Sequence, residues 1–139
     1  DRLDQAEPAP GVVEAIQSAD AVIICPSNPW VSVDPILKVL QPSTVHGLPS
    51  TVAISPIIGG QTVKGPAAKM YAELGIQPSA LAVAEHYRGL LSGFVLDKVD
   101  ADLAPRLPTS TLVTNTLMKS LTDRAILAQA VLHFAENLS

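Results

Sequence analysis

Two short apolar runs, each stopped by a proline, constrain this chain more than any other feature. Ala21-Val22-Ile23-Ile24-Cys25 runs into Pro26, and Thr51-Val52-Ala53-Ile54-Ser55 runs into Pro56. Runs of this length, rich in β-branched residues and without polar alternation, suit strands buried on both faces, as in a parallel sheet. Gly93-Phe94-Val95-Leu96-Asp97 and Thr111-Leu112-Val113-Thr114-Asn115 supply two further candidate strands.

Helical patterns fall between them. Gly11 to Ala19 lets Val12, Val13 and Ile16 share a face, and Asp34 before Pro35 predicts an N-cap and a short helix from Pro35 to Leu40. Pro66 suits the start, and Gly75 the stop, of a helix through Leu74. Pro78 opens another toward Tyr87. A final helix is capped by Ser120 or Thr122. Its residues Leu121, Ala125, Ala128, Leu132 and Ala135, widened by Leu127, Val131, Phe134 and Leu138, predict that much of it is buried. Strands alternating with helices imply βαβ units. The expected fold is α/β, a three-layer α/β/α arrangement on a mostly parallel, Rossmann-like sheet. Residues 1–10, acidic and proline-bearing, read as a connector, and 11–139 as the α/β portion.

Composition removes several function classes. The 139 residues are 47% hydrophobic and 16% charged, too apolar for disorder, and one cysteine builds no disulfide framework. No run of about 18 apolar residues could span a membrane. A net charge of −4 lacks the basic face of a general nucleic-acid binder. No secretory signal is visible at the start, so a reducing, cytoplasmic setting is expected.

Ligands of open parallel sheets bind outside the carboxyl ends of the strands. The first strand runs into Pro26-Ser27-Asn28-Pro29-Trp30-Val31-Ser32, stiffened by proline, with Ser27, Asn28 and Ser32 as donors and Pro29 fixing the turn. A helix beginning near Pro35 would add a positive dipole end. A proline-stiffened turn whose polar residues cap a helix explains the same pattern. The second strand runs into Ile57-Ile58-Gly59-Gly60-Gln61-Thr62-Val63-Lys64-Gly65. The adjacent Gly59 and Gly60 permit close backbone approach, and Lys64 beside a helix N-terminus adds charge, so a phosphate cradle and a plain glycine loop both fit. The spacing is neither the P-loop nor the dinucleotide fingerprint.

Other candidates are weaker. Cys25 reads as a small hydrophobe at a strand end. His46, His86 and His133 share no metal-ligand spacing. His86 suits a helix C-terminus. Asp97, Asp100 and Asp102 follow a strand and could hold Mg²⁺, but turn and helix-cap roles are commoner.

The segment Ala19 to Leu37, the motif Ser55 to Gly60 with Val63 to Met70, Glu85-His86-Tyr87 and Asp97 to Asp100 together resemble the 2-phospho-L-lactate transferase family of coenzyme F420 biosynthesis. The resemblance implies transfer of a phospholactyl-type group from a guanosine-diphosphate-activated three-carbon acid to the deazaflavin alcohol Fo, with release of GMP. It implies Mg²⁺, held largely by the diphosphate, and donors from Ser27, Asn28, Ser32, Gly59, Gly60, Lys64 and Gly65. Family members carry, in an N-terminal half, a glycine-rich strand-loop-helix and an acidic deazaflavin-pocket residue, neither of which stands in this sequence. The expectation is therefore one part of a larger enzyme, inactive alone, partnered by that half, with no general base assigned and homo-oligomer formation open. A related branch contains non-catalytic nucleotide-sugar-binding regulators. It reads Gly-Pro-Gly-Ser where this chain has Pro26-Ser27-Asn28-Pro29. A purely structural partner domain is the third alternative.

Overall fold

The computed structural model describes residues 3–40, 44–45, 47–62, 71, 73 and 75–138. Four strands, β1 (Ala21–Ile24), β2 (Ser50–Ile54), β5 (Gly93–Asp97) and β6 (Ser110–Thr114), form one sheet in the order β1-β2-β5-β6. Every pairing in it is parallel, with Ala21 opposite Ser50, Val52 opposite Gly93 and Gly93 opposite Ser110. The strand expectations hold within a residue at each end. Two shorter strands, β3 (Ile57–Ile58) and β4 (Gln61–Thr62), make an antiparallel hairpin beyond β2.

Side chains alternate across the sheet, and each face has its own cover. Val52, Ile54 and Val95 pack with Leu127, Val131 and Ala135 of the last helix, α4 (Leu121–Glu136). Ala53, Phe94 and Leu96 turn the other way. They join Val33 and the helix α3 (Ala80–His86), whose Ala80, Val83 and Ala84 are buried. Helices on both faces of a parallel sheet make the three-layer α/β/α architecture. α1 (Val12–Gln17) and α2 (Asp34–Val39) complete the regular helices used below. No helix among the described residues is long and apolar enough to cross a membrane.

The cap of α4 is as expected. Ser120 accepts from the Asp123 amide at 3.1 Å, and the Asp123 carboxylate accepts from the Ser120 amide at 2.8 Å, a reciprocal capping box. Its burial departs from expectation. Leu127, Val131 and Ala135 face the sheet, whereas Leu121, Ile126 and Leu132 are 79%, 58% and 55% exposed. One flat sheet can cover only one stripe of a helix, so the apolar residues on its flanks are left outward. Cys25 is exposed, not packed as a hydrophobe, because β1 ends at Ile24 and the Ser27 amide turns back onto the Cys25 carbonyl. The helix expected from Pro66 through Leu74 lies outside the described residues, apart from helical Tyr71 and Glu73.

Gly93 marks where α4 presses hardest on the sheet. A Cβ there would stand 2.5 Å from Leu138 Cδ1 and 2.6 Å from Phe134 Cε1. Gly93→Ala is expected to cost about 1 kcal/mol, and Gly93→Val about 2 kcal/mol, as both side chains are forced aside. Urea midpoints of the two variants check this; a neutral Gly93→Val would contradict the packing.

Candidate functional site

At the carboxyl ends of the strands lies a cavity of about 450 Å³. Three segments wall it: Pro26 and Asn28 after β1; Ser55, Pro56, Ile57, Ile58 and Thr62 after β2; Thr116, Leu117 and Met118 after β6. Tyr71 and Arg124 close it. Size and mixed lining suit a small organic ligand whose polar groups meet a few fixed donors. The two loops read from sequence thus meet at one cavity, on the edge where parallel sheets bind ligands.

The loop after β1 is a five-residue π-helical stretch, Pro29–Val33, continuing into α2. Such turns are rare and concentrate at functional sites. Asn28 is its cap: Oδ1 accepts from the Trp30 amide at 3.1 Å and the Val31 amide at 3.3 Å. This corrects the reading of Asp34 as N-cap. The helical path begins at Pro29, so Pro35 lies inside it and presents no free amides to a ligand. Asp34 instead turns its Oδ1 to His86 Nε2 at 2.8 Å. The His86 ring lies 4.6 Å from that of Trp30, which meets Tyr71 edge-on at 5.0 Å. His86 therefore ties α3 to the β1 loop, a more specific role than offsetting a helix dipole.

Among the remaining expected site residues, Ser27 and Ser32 are exposed and outside the cavity wall, and Pro29 is buried in the π-helical turn. Gly59 and Gly60 form the two-residue tip of the β3–β4 hairpin, with φ of +57° and +72°. Positive φ at both positions is the type I′ pattern, which explains the glycine pair without a ligand. The Gly59 amide donates to Asp100 Oδ2 at 2.9 Å, so it is not a vacant phosphate donor. Lys64, Gly65 and His46 lie outside the described residues. His133 sits exposed on α4, 3.7 Å from Glu136.

Ser55 is buried and its hydroxyl is committed locally, donating to the Ile57 carbonyl at 2.9 Å and accepting from the Ile57 amide at 3.1 Å. That ring holds the β2 loop where Ile57 and Ile58 line the cavity. Tyr71 and Tyr87 are buried, and neither hydroxyl has a hydrogen-bond partner among the described residues. Burial pushes the Tyr71 phenol up to about 12. It also raises that of Tyr87, with the nearby Asp34 and Tyr71 charges adding to the effect. Both remain protonated donors at neutral pH.

The third wall was not read from sequence. Asp97, at the end of β5, accepts from the Thr116 amide at 2.7 Å and hydroxyl at 3.1 Å, and from the Val99 amide at 3.0 Å. Burial alone would raise its pKa, but these hydrogen bonds outweigh it and hold the carboxyl below its usual 3.8. Applying the strand-end rule to β6 as well would have brought Thr116 to Met118 forward. Asp97 and Asp100 are thus tied to backbone amides. Among the described residues no group of three or more His, Cys, Asp and Glu side chains is placed to hold a metal ion.

Residues 2–124 match the family described as 2-phospho-L-lactate transferase CofD. This chain belongs to the CofD family. A 2-phospho-L-lactate transferase of Methanocaldococcus jannaschii is 38% identical over 133 residues, covering 96% of this chain and 43% of the relative. A protein named phosphoenolpyruvate transferase from Streptomyces coelicolor is 41% identical over 129 residues, covering 91% of this chain and 40% of its own. Another of that name, from Streptomyces avermitilis, is 43% identical over 130 residues. The chain spans about two fifths of the length of the curated relatives it matches. The matched CofD region holds all three cavity walls.

Proposed function

We propose that this chain is part of a transferase of coenzyme F420 biosynthesis, acting in the cytoplasm. It would move a phospholactyl-type group from a guanosine-diphosphate-activated donor to Fo and release GMP. One observation carries the reading: in a CofD-family chain, the loops after β1 and β2 converge with Thr116–Met118 on one cavity. The names of the relatives divide between phospholactate and phosphoenolpyruvate, and either three-carbon acid suits the reading.

The chemistry asks the protein to hold a hydroxyl in line with phosphorus and to neutralise the leaving diphosphate. With its carbonyl oxygen committed to the cap, Asn28 retains its amide NH₂ as a donor at the cavity. Ser27 and Ser32 border that loop, and Lys64 and Gly65 follow the hairpin as further candidates for the anion. A magnesium ion would come to this site on the donor's diphosphate. The N-terminal half of the enzyme would supply the acceptor pocket and the base. Exposed Leu121 and Leu132, which share one flank of α4, offer apolar contacts for such a partner.

The test is a chimaera joining this chain to the N-terminal portion of the M. jannaschii relative, assayed for GMP with donor, Fo and Mg²⁺. Fo-dependent GMP release is expected from the chimaera and not from the chain alone. Tighter binding of a UDP-sugar than of GDP would favour the regulator branch instead.

A further inference from the structure

Arg124 is exposed and placed against the electrostatic preference of its helix. It lies in the first turn of α4, a helix of 16 residues, where the positive end of the dipole disfavours a cation. Its helical neighbours three and four positions away are Ser120, Leu121, Leu127 and Ala128, so no carboxylate stands ready to pair with it. Asp123 is turned away, accepting from the Lys119 amide at 2.9 Å and the Ser120 amide at 2.8 Å. The guanidinium has no hydrogen-bond or ion-pair partner among the described residues, yet Arg124 lines the cavity. Among the described residues the cavity lining contains no carboxylate and no other cation.

The segment leading to Arg124 is also held from two sides. Asp97 fixes Thr116 from the sheet, and Asp123 fixes Lys119 and Ser120 from the helix. A cation placed against the dipole, unpaired, at the end of a doubly anchored loop and on a cavity wall departs from local preference in the way binding sites do.

We propose that Arg124 is the residue that binds the anionic group of the ligand in this cavity, its planar fork receiving two oxygens of a phosphate or a carboxylate. This rests on the functional reading above for the identity of the ligand, but the anion site itself can be tested apart from it. Amide NMR shifts of the 139-residue chain are followed during titration with inorganic pyrophosphate and, separately, with L-lactate. The amides of Thr116, Leu117 and Arg124 should move on titration. Arg124→Gln is expected to weaken binding about 10–100-fold, with Arg124→Lys in between. Arg88→Gln, which breaks only the exposed pair with Glu85, should bind as the parent does. Saturation by pyrophosphate alone assigns the site to the diphosphate, and saturation by lactate alone assigns it to the acid's carboxylate. Unchanged affinity in Arg124→Gln overturns the proposal, as does failure of the parent chain to bind either anion. Arg124-dependent binding without GMP release in the chimaera would leave the site standing and remove the transferase reading.

Discussion

Asp97→Ala is expected to lose about 3 kcal/mol of folding stability and with it ligand binding at the cavity, because the Thr116 and Val99 amides are left without their acceptor. The carboxylate joins the end of β5 to the loop after β6, and that loop carries Thr116, Leu117 and Met118 on the cavity wall. The loss therefore reaches the site as well as the fold. The sign of its pH dependence follows from the lowered pKa. The folded carboxyl titrates below the usual 3.8, so its contribution is complete above that value and is lost as pH falls through the folded one. Urea unfolding of parent and variant should diverge at neutral pH and converge in acid. An equal gap at both would show that charge is not what anchors the loop. Asp97→Asn keeps the shape without the charge and should fall between the two.

Phe94→Ala carries the other large effect, about 3–5 kcal/mol, a large share of the roughly 5–15 kcal/mol that holds an ordinary domain together. Phe94 is fully buried on β5, in the same core cluster as Ile57 and Tyr71, both of which line the cavity. Removing the ring leaves a void beneath the site, so the cluster loosens toward the cavity as stability falls. Phe94→Leu refills most of that volume and should cost about 1–2 kcal/mol. Denaturant midpoints at unchanged slope provide the measurement. A loss below about 1 kcal/mol for the Ala variant would be at odds with a fully packed ring.

Much of this protein is legible in its sequence. The runs ending at Cys25 and Ser55 became β1 and β2, and their proline-stopped loops do meet at the carboxyl edge of the sheet. Strand character was readable because apolar β-branched runs carry their own signature, and the strand-end rule turns that order into a site. The details within the loops were not. Asp34 before Pro35 looks like a helix start, yet Asn28 begins the turn six residues earlier, because a π-helical path can absorb Pro29 at its first position. The pair Gly59-Gly60 reads alike as phosphate cradle or hairpin tip. Only the pairing of Ile57 with Thr62 selects the hairpin.

By itself the sequence determined the layer architecture, the direction of the strands and the edge on which a ligand would sit, since these follow from periodicity and chain order. Tertiary structure alone decided which polar groups are already committed and which remain available. Asp97 and Thr116 are 19 positions apart, Gly59 and Asp100 are 41, and Asp34 and His86 are 52. A hydrogen bond extends only about 3 Å, so no pattern along the chain reveals which donor meets which acceptor until the sheet has brought them together.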